Sequence, residues 1–397
     1  MKRREFLKAL GYGTLASCTA LAAGQEKAGK HERREPTMPK RLIEHSELMK
    51  PTKSDDKMNW YDISAWGVEG KGWDDTERYY DRFPSRAKGK VRAAVWNLSR
   101  HSAGMSARLV TDAKMMHARW TLLSDRLAMA HMPATGVSGL DLYALADDGT
   151  WRYAGTGRPE RAPKASGRLC AGLPGERRAY VLNLPLYNGV ESVEIGLPKD
   201  ASLWPVKPRR RQIIVFYGTS IMQGGCASRP GMCHASILGR RLDRPIINLG
   251  FSGNGTMDIE VGELMAELDV CLYYIDCLPN MGAEKVSERT VPLVKLLRKA
   301  RPETPIALVE DRTYSHAWLA PATRQSNDSR RKALKESFDA LRQAGVEGLH
   351  YIPGEPQLGD DSDGTVDGSH ATDLGFVRMA DYVEPLIRPL VQQGREG

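Results

Sequence analysis

Cysteine is scarce: six occur in 397 residues, Cys18, Cys170, Cys226, Cys233, Cys271 and Cys277. They are too few and too scattered for a disulfide scaffold, and no Cys-x-x-Cys pair occurs among them. The nine histidines do not gather at metal-ligand spacing, so the sequence signals no metal. No motif calls for a cofactor. After about Ala23 no stretch is long and apolar enough to span a bilayer. The formal charge of +8 comes without an aromatic-basic stripe or a known binding motif, so no nucleic-acid footprint is read. The one dense basic run is Lys207-Pro-Arg-Arg-Arg211. No internal repeat is evident.

What is present begins with length. A chain of 397 residues exceeds one typical core and suggests two domains. Its 41% hydrophobic and 27% charged residues are ordinary for a soluble globular protein.

Residues 1–24 read as a targeting segment. Lys2, Arg3, Arg4 and Lys8 crowd the start, and an apolar stretch follows to about Ala23. Arg3-Arg4-x-Phe6-Leu7-Lys8 resembles the twin-arginine export signal. Two cleavage readings stand. Ala20-Leu-Ala22 fits a small-residue signal-peptidase site, whereas Leu15-Ala-Ser-Cys18 resembles a lipobox that would leave Cys18 lipidated. The expected location is therefore periplasmic or attached to the cell envelope. Cys226 and Cys233 lie seven residues apart in one loop, placed either to bridge after export or to stay as two partly buried thiols.

Residues 25–58 are polar and charged with scattered prolines, the composition of a flexible tether. From 59 to 205 the pattern is of β type. Val91–Trp96, Met116–Leu122, Gly139–Ala144 and Tyr180–Leu184 alternate partially, with Asp148-Gly149, Pro174-Gly175 and Asn188-Gly189 as turns. A β-sandwich is expected there. It holds seven of the eight tryptophans, expected in the core or its rim, with one or two open to sugar stacking.

Beyond the linker 205–211 the texture changes. Apolar strands at 213–217, 245–249, 270–275, 305–309 and 349–352 alternate with helical patterns near 232–242, 257–268, 284–300, 326–344 and 373–384. Buried strands alternating with helices imply a parallel sheet covered on both faces. Its strand C-terminal ends then share one edge, where open α/β sheets bind ligands.

Chemistry gathers at that edge. The first strand runs into Gly218-Thr-Ser220-Ile-Met-Gln-Gly224. Alone, a Gly-x-Ser reads equally as a turn or a helix cap. Asp367-Gly-Ser-His370, the one Asp-x-x-His in the chain, lies before the last helix. That spacing lets the carboxylate fix the imidazole, which then takes the serine proton. A surface pair in an acidic loop (Asp360, Asp361, Asp363) and a calcium loop are rivals, although EF-hand spacing is absent. The second strand ends in a glycine-rich loop, Gly250-Phe-Ser-Gly253-Asn-Gly255, and the third in Asp276-Cys-Leu-Pro-Asn280. A loop N–H and an Asn amide there are suited to an oxyanion.

In this order the four blocks resemble the SGNH (GDSL-like) hydrolase superfamily, over about residues 211–391. The resemblance implies a flavodoxin-like five-stranded parallel sheet flanked by helices. It also implies Ser220 as nucleophile, His370 as base and Asp367 as its partner. The oxyanion hole would come from Ser220, Gly253 and Asn280. A narrower resemblance is to a bacterial subgroup in which a β-sandwich with a Gly-x-Asp-Leu-Tyr signature precedes the catalytic domain; here it reads Gly139-Leu-Asp-Leu-Tyr143. Two departures from the wider pattern are Thr219, where an Asp usually precedes the nucleophile, and Leu278-Pro-Asn-Met281 in place of Gly-x-Asn-Asp.

The expected activity is an exported serine esterase that removes a short acyl group, acetyl first, from a carbohydrate, its expected partner being a small-molecule or oligosaccharide ester. A lipid or lysophospholipid esterase is the enzyme alternative, and a non-catalytic carbohydrate-binding protein the alternative of another class. Arg229 is a weak candidate for holding a substrate anion; the other reading is a surface arginine.

Overall fold

The computed structural model describes residues 47–392. The segment expected to direct export, Cys18 and the first part of the expected tether lie outside the described residues. The rest of the tether differs from expectation. Lys53–Ser54 (β1) pairs with Met58–Asp62 (β2), because Asp55 accepts the Lys57 and Met58 N–H groups and turns the chain back.

Eight further strands follow: β3 Ser106–Thr111, β4 Met115–Leu122, β5 Leu140–Leu145, β6 Trp151–Gly157, β7 Lys164–Ala171, β8 Arg178–Asn183, β9 Val190–Pro198 and β10 Leu203–Val206. They form two antiparallel sheets, β1-β2-β9-β4-β7 and β10-β3-β8-β5-β6. In β4 the buried residues are Met116, Ala118, Trp120 and Leu122, a period of two, and they meet Leu109, Leu140 and Leu182 of the other sheet in one core. β5 is buried on both faces, because its outer face meets the second half of the chain.

One expected strand is a helix. Val91–Trp96 falls in and before α1 (Ala93–Ser99). Its buried residues Val95, Trp96 and Ser99 follow helical spacing. Short apolar runs do not separate the two periods by pattern alone, and tertiary packing decides. α1 joins Trp73 and Phe83 in the core cluster of the C-terminal sheet, not that of the sandwich.

That sheet comprises β11 Ile214–Gly218, β12 Ile246–Gly250, β13 Leu272–Asp276, β14 Ile306–Val309 and β15 Leu349–Ile352. Its order is β12-β11-β13-β14-β15, every pair parallel. Flanking it are helices α4 His234–Leu242, α5 Ile259–Ala266, α6 Ala283–Ala300, α7 Pro321–Gln343 and α8 Asp373–Gln392; short helices α2 (Ala134–Val137) and α3 (Ser220–Gln223) precede them. One core cluster packs on each face of the sheet. Among the described residues no helix is long and apolar enough to cross a membrane.

The Gly139–Tyr143 signature, most of it in β5, joins the two halves. The Asp141 carboxylate on β5, fully buried, accepts from Asn183 Nδ2 (2.8 Å), from the Gly231 N–H (2.9 Å) and from Arg229 Nη1 (2.7 Å). Arg229 also donates to Tyr143 OH and lies over the Tyr153 ring. Arg229, expected either at a substrate anion or on the surface, is thus engaged within the protein. A carboxylate removed from water requires a paired cation, and Arg229 supplies it.

Candidate active site

β11 ends at Gly218, and Thr219 caps α3 by accepting the Ile221 N–H. Ser220 is thus the first residue of a short helix at the C-terminal edge of the sheet. His370 and Asp367 arrive on the loop before α8. Ser220 Oγ and His370 Nε2 are 2.8 Å apart, and His370 Nδ1 lies 2.7 Å from Asp367 Oδ2. Asp367 Oδ1 accepts the N–H groups of His370 (2.8 Å) and Ser369 (3.1 Å). Burial works to raise the Asp367 carboxyl, but these hydrogen bonds outweigh it and hold the carboxyl below its usual range.

The glycine-rich loop follows β12. Gly253 adopts a left-handed φ of +68°, and a Cβ on Gly255 would lie 1.9 Å from the Gly218 carbonyl oxygen. Among the described residues the N–H groups of Ser220 and Gly253 donate to no protein acceptor. Asn280 closes the short turn after β13. Its Oδ1 accepts the Gly255 N–H at 3.3 Å, which leaves its amide nitrogen as the free donor. The structure therefore brings together Ser220, Asp367, His370, the Gly253 loop and Asn280; it holds Arg229 elsewhere.

Several supporting residues were not found from the sequence. Gln223 is buried and ties three segments: its Nε2 meets the Leu186 carbonyl (3.0 Å) and His101 Nδ1 (2.9 Å), and its Oε1 accepts the Ser252 N–H (3.1 Å). Arg82 donates to the carbonyls of Asn248 (2.9 Å) and Gly250 (2.8 Å) at the root of the glycine loop. Tyr187 OH donates to the Ser220 carbonyl (3.1 Å). Burial, then the Arg82 charge, lowers His101 to about 3, so it stands neutral beside Gln223. Gln223 lay in the motif block and was within reach of sequence reasoning. Arg82, His101 and Tyr187 come from the N-terminal half and carry no motif.

His131, on a loop of the N-terminal half, brings its ring centroid within 5.6 Å of that of His370. Cys226 and Cys233 are buried free thiols, and Cys233 donates to Ser236 Oγ. Burial, with the Asp367 charge, pushes the Cys226 thiol up to about 12. A cavity of about 470 Å³ opens beside the glycine loop, with Leu98, Met129, Tyr187, Arg126, Ser252 and Asn254 in its wall.

A five-stranded parallel sheet with serine, carboxylate and histidine on one edge, behind an antiparallel two-sheet module, defines an SGNH-type hydrolase. Residues 211–388 match the GDSL-like lipase/acylhydrolase family, and residues 58–203 match the Gly-x-Asp-Leu-Tyr N-terminus of SGNH-hydrolase-type esterases. The chain is similar to a protein described as a GDSL-like lipase from Bacteroides ovatus, with 32% identity and a TM-score of 0.80, covering 84% of this chain and 98% of that one. The chain belongs to this family and is a carboxylic ester hydrolase. Two further solved structures share the fold. One is a salicylyl-acyltransferase from a tetracycline biosynthetic pathway, 18% identical, TM-score 0.66, covering 87% of this chain and 97% of that one. The other is a family two carbohydrate esterase from Cellvibrio japonicus, 13% identical, TM-score 0.53, covering 84% and 98%. A search of the curated proteins returned no match.

Proposed function

We propose that the protein is an exported esterase that removes a short acyl group, acetyl first, from a carbohydrate. The observation that carries the chemistry is the chain of contacts from Ser220 Oγ through His370 to Asp367, at 2.8 and 2.7 Å. Ser220 Oγ attacks the ester carbonyl as His370 Nε2 takes its proton, and Asp367 stabilises the imidazolium. The N–H groups of Ser220 and Gly253 and the Asn280 amide hold the oxyanion. His370 returns the proton to the leaving alcohol. It then activates water, which releases the acid and restores the serine. Asn280→Ala is expected to lower kcat by about 10²–10³-fold with little change in melting temperature, since it removes one preorganised donor. Steady-state kinetics on 4-nitrophenyl acetate check this.

Two observations support a glycan over a lipid. The cavity beside the glycine loop mixes apolar side chains with Ser124, Arg126, Ser252 and Asn254, whereas an acyl-chain tunnel would be apolar throughout. Trp318, on the loop after β14, is 78% exposed. That loop is tied to the triad loop through the Ser315 N–H to the Gly368 carbonyl (3.0 Å) and Ser315 Oγ to Thr365 Oγ1 (2.8 Å). The seven tryptophans of the N-terminal half are buried or half-buried, so Trp318 is the one exposed as a stacking surface. Trp318→Ala is expected to raise KM for an acetylated oligosaccharide by about 3–10-fold, the scale of one aromatic contact. Its KM for 4-nitrophenyl acetate should not move. The deciding experiment compares acetate release from acetylated oligosaccharides with hydrolysis of 4-nitrophenyl octanoate. Preference for the octanoate would overturn the glycan reading in favour of a lipid ester. Oligosaccharide binding with no hydrolysis of any ester would leave a binding role alone.

A further inference from the structure

We propose that His131, Cys226 and His370 form a site for a thiophilic divalent cation, Zn²⁺ in the first instance, and that its occupation switches the esterase off. One ligand atom from each residue, imidazole nitrogen, Sγ and imidazole nitrogen, lies within 4.8 Å of the other two. The three come from separate segments. His131 sits on a loop of the N-terminal half, Cys226 three residues beyond α3, and His370 on the loop before α8. Their convergence is a product of the fold and has no counterpart in sequence spacing.

The ligand set suits zinc. Two imidazoles and one thiolate leave a fourth tetrahedral position open, as in sites that bind an exogenous oxygen. Zn–N and Zn–S bonds of about 2.0–2.3 Å put tetrahedral ligand atoms roughly 3.3–3.8 Å apart, so the cluster need contract by no more than about 1–1.5 Å. His131 is exposed on its loop and is the residue that can move. Cys226 is held in place: it is buried, with a left-handed φ of +74°.

His370 is already prepared as a ligand. Its Nδ1 is engaged by Asp367 Oδ2 at 2.7 Å, which fixes the ring and leaves Nε2, 2.8 Å from Ser220 Oγ, as the nitrogen open to a cation. A carboxylate behind a histidine is the support that metal-bound imidazoles use. The lone pair that would accept the Ser220 proton is the one a cation would take. On binding, the Cys226 thiol releases its proton to solvent as the Sγ–metal bond forms. His370 Nε2 exchanges its contact with Ser220 Oγ for the metal, and the serine loses its base. Neither His131 nor Cys226 has a part in the hydrolytic steps above, so removing either leaves hydrolysis intact.

The inhibition half rests on the esterase reading, and the binding half does not. The full chain is titrated with Cd²⁺, followed by the thiolate-to-cadmium charge-transfer band, and with Zn²⁺ by calorimetry. In parallel, hydrolysis of 4-nitrophenyl acetate is followed with Zn²⁺ and after chelation. The expected results are one cadmium per chain with a thiolate band, and Zn²⁺ inhibition that a chelator reverses. Cys226→Ser should abolish the band. Cys226→Ser and His131→Ala should each weaken zinc binding and inhibition by at least about tenfold, since loss of a supporting group alone costs about 10–100-fold. Both should keep the metal-free rate. Ser220→Ala should keep the band, so metal binding is decided even with no ester hydrolysed. Should Cys226→Ser unfold, Cys226→Ala and His131→Ala, checked by circular dichroism, take its place. Absence of a thiolate band would overturn the site, as would equal zinc affinity in wild type and both variants. A band without inhibition of an active enzyme would overturn the switch.

Discussion

Ser220→Ala is expected to lower kcat for ester hydrolysis by about 10⁴–10⁶-fold, the scale seen when a serine nucleophile is removed from a triad. The variant should fold unchanged. The Ser220 side chain has His370 Nε2 as its partner, and the methyl group of alanine fits where Cβ already stands. Loss of the contact leaves His370 bonded to Asp367, so no buried charge is stranded. The effect should therefore appear in kcat alone, with the melting temperature and oligosaccharide affinity retained. Wild-type rates in the variant would mean that another group performs the attack.

Arg312→Ala carries the largest expected effect on stability, about 3–5 kcal/mol. Arg312 is 2% exposed, and its guanidinium grips Asp276 through two bonds of 2.8 and 2.9 Å. Burial acts to lower the Arg312 pKa, but the Asp276 carboxylate overrides it and holds it above its usual value. Removing the cation strands a fully buried carboxylate, and that stranding is the source of the loss. The damage should reach activity as well. Asp276 ends β13, and Asn280 stands four residues further on. Denaturant unfolding measures the loss. Asp276→Asn combined with Arg312→Met should recover much of it, because a neutral pair no longer demands compensation. A single Arg312→Ala variant as stable as wild type would contradict this account of the network.

Much of the C-terminal half was legible because its signals are strong and local. Continuous apolar runs mark the four strands buried on both faces, and all five expected strands fall within two residues of the observed positions. Ser220, Asp367 and His370 were legible because sheet topology dictates where strand ends meet. The N-terminal half was less so. Val91–Trp96 has an alternation that fits a strand, yet α1 forms because its apolar face packs on the neighbouring core. Arg229 looked free in sequence, since nothing there shows that Asp141 lies opposite it, 88 positions away. Arg82 and His131 lacked any motif for the same reason: their partners are distant in the chain, and only the folded surfaces bring them to the site.

The Gly-x-Asp-Leu-Tyr signature acquires a physical meaning from this geometry. Asp141 holds the loop that follows α3 through Gly231 and Arg229, while Tyr143 backs the same guanidinium. The N-terminal module therefore braces one side of the site, and Tyr187, His101 and His131 bring it to the rim.

The most direct test of the central claim is to treat the protein with a serine-directed fluorophosphonate and locate the adduct by peptide mass spectrometry. The account predicts a single adduct on Ser220, lost when His370 is replaced by alanine. An adduct on another residue, or none on a preparation that hydrolyses esters, would contradict it.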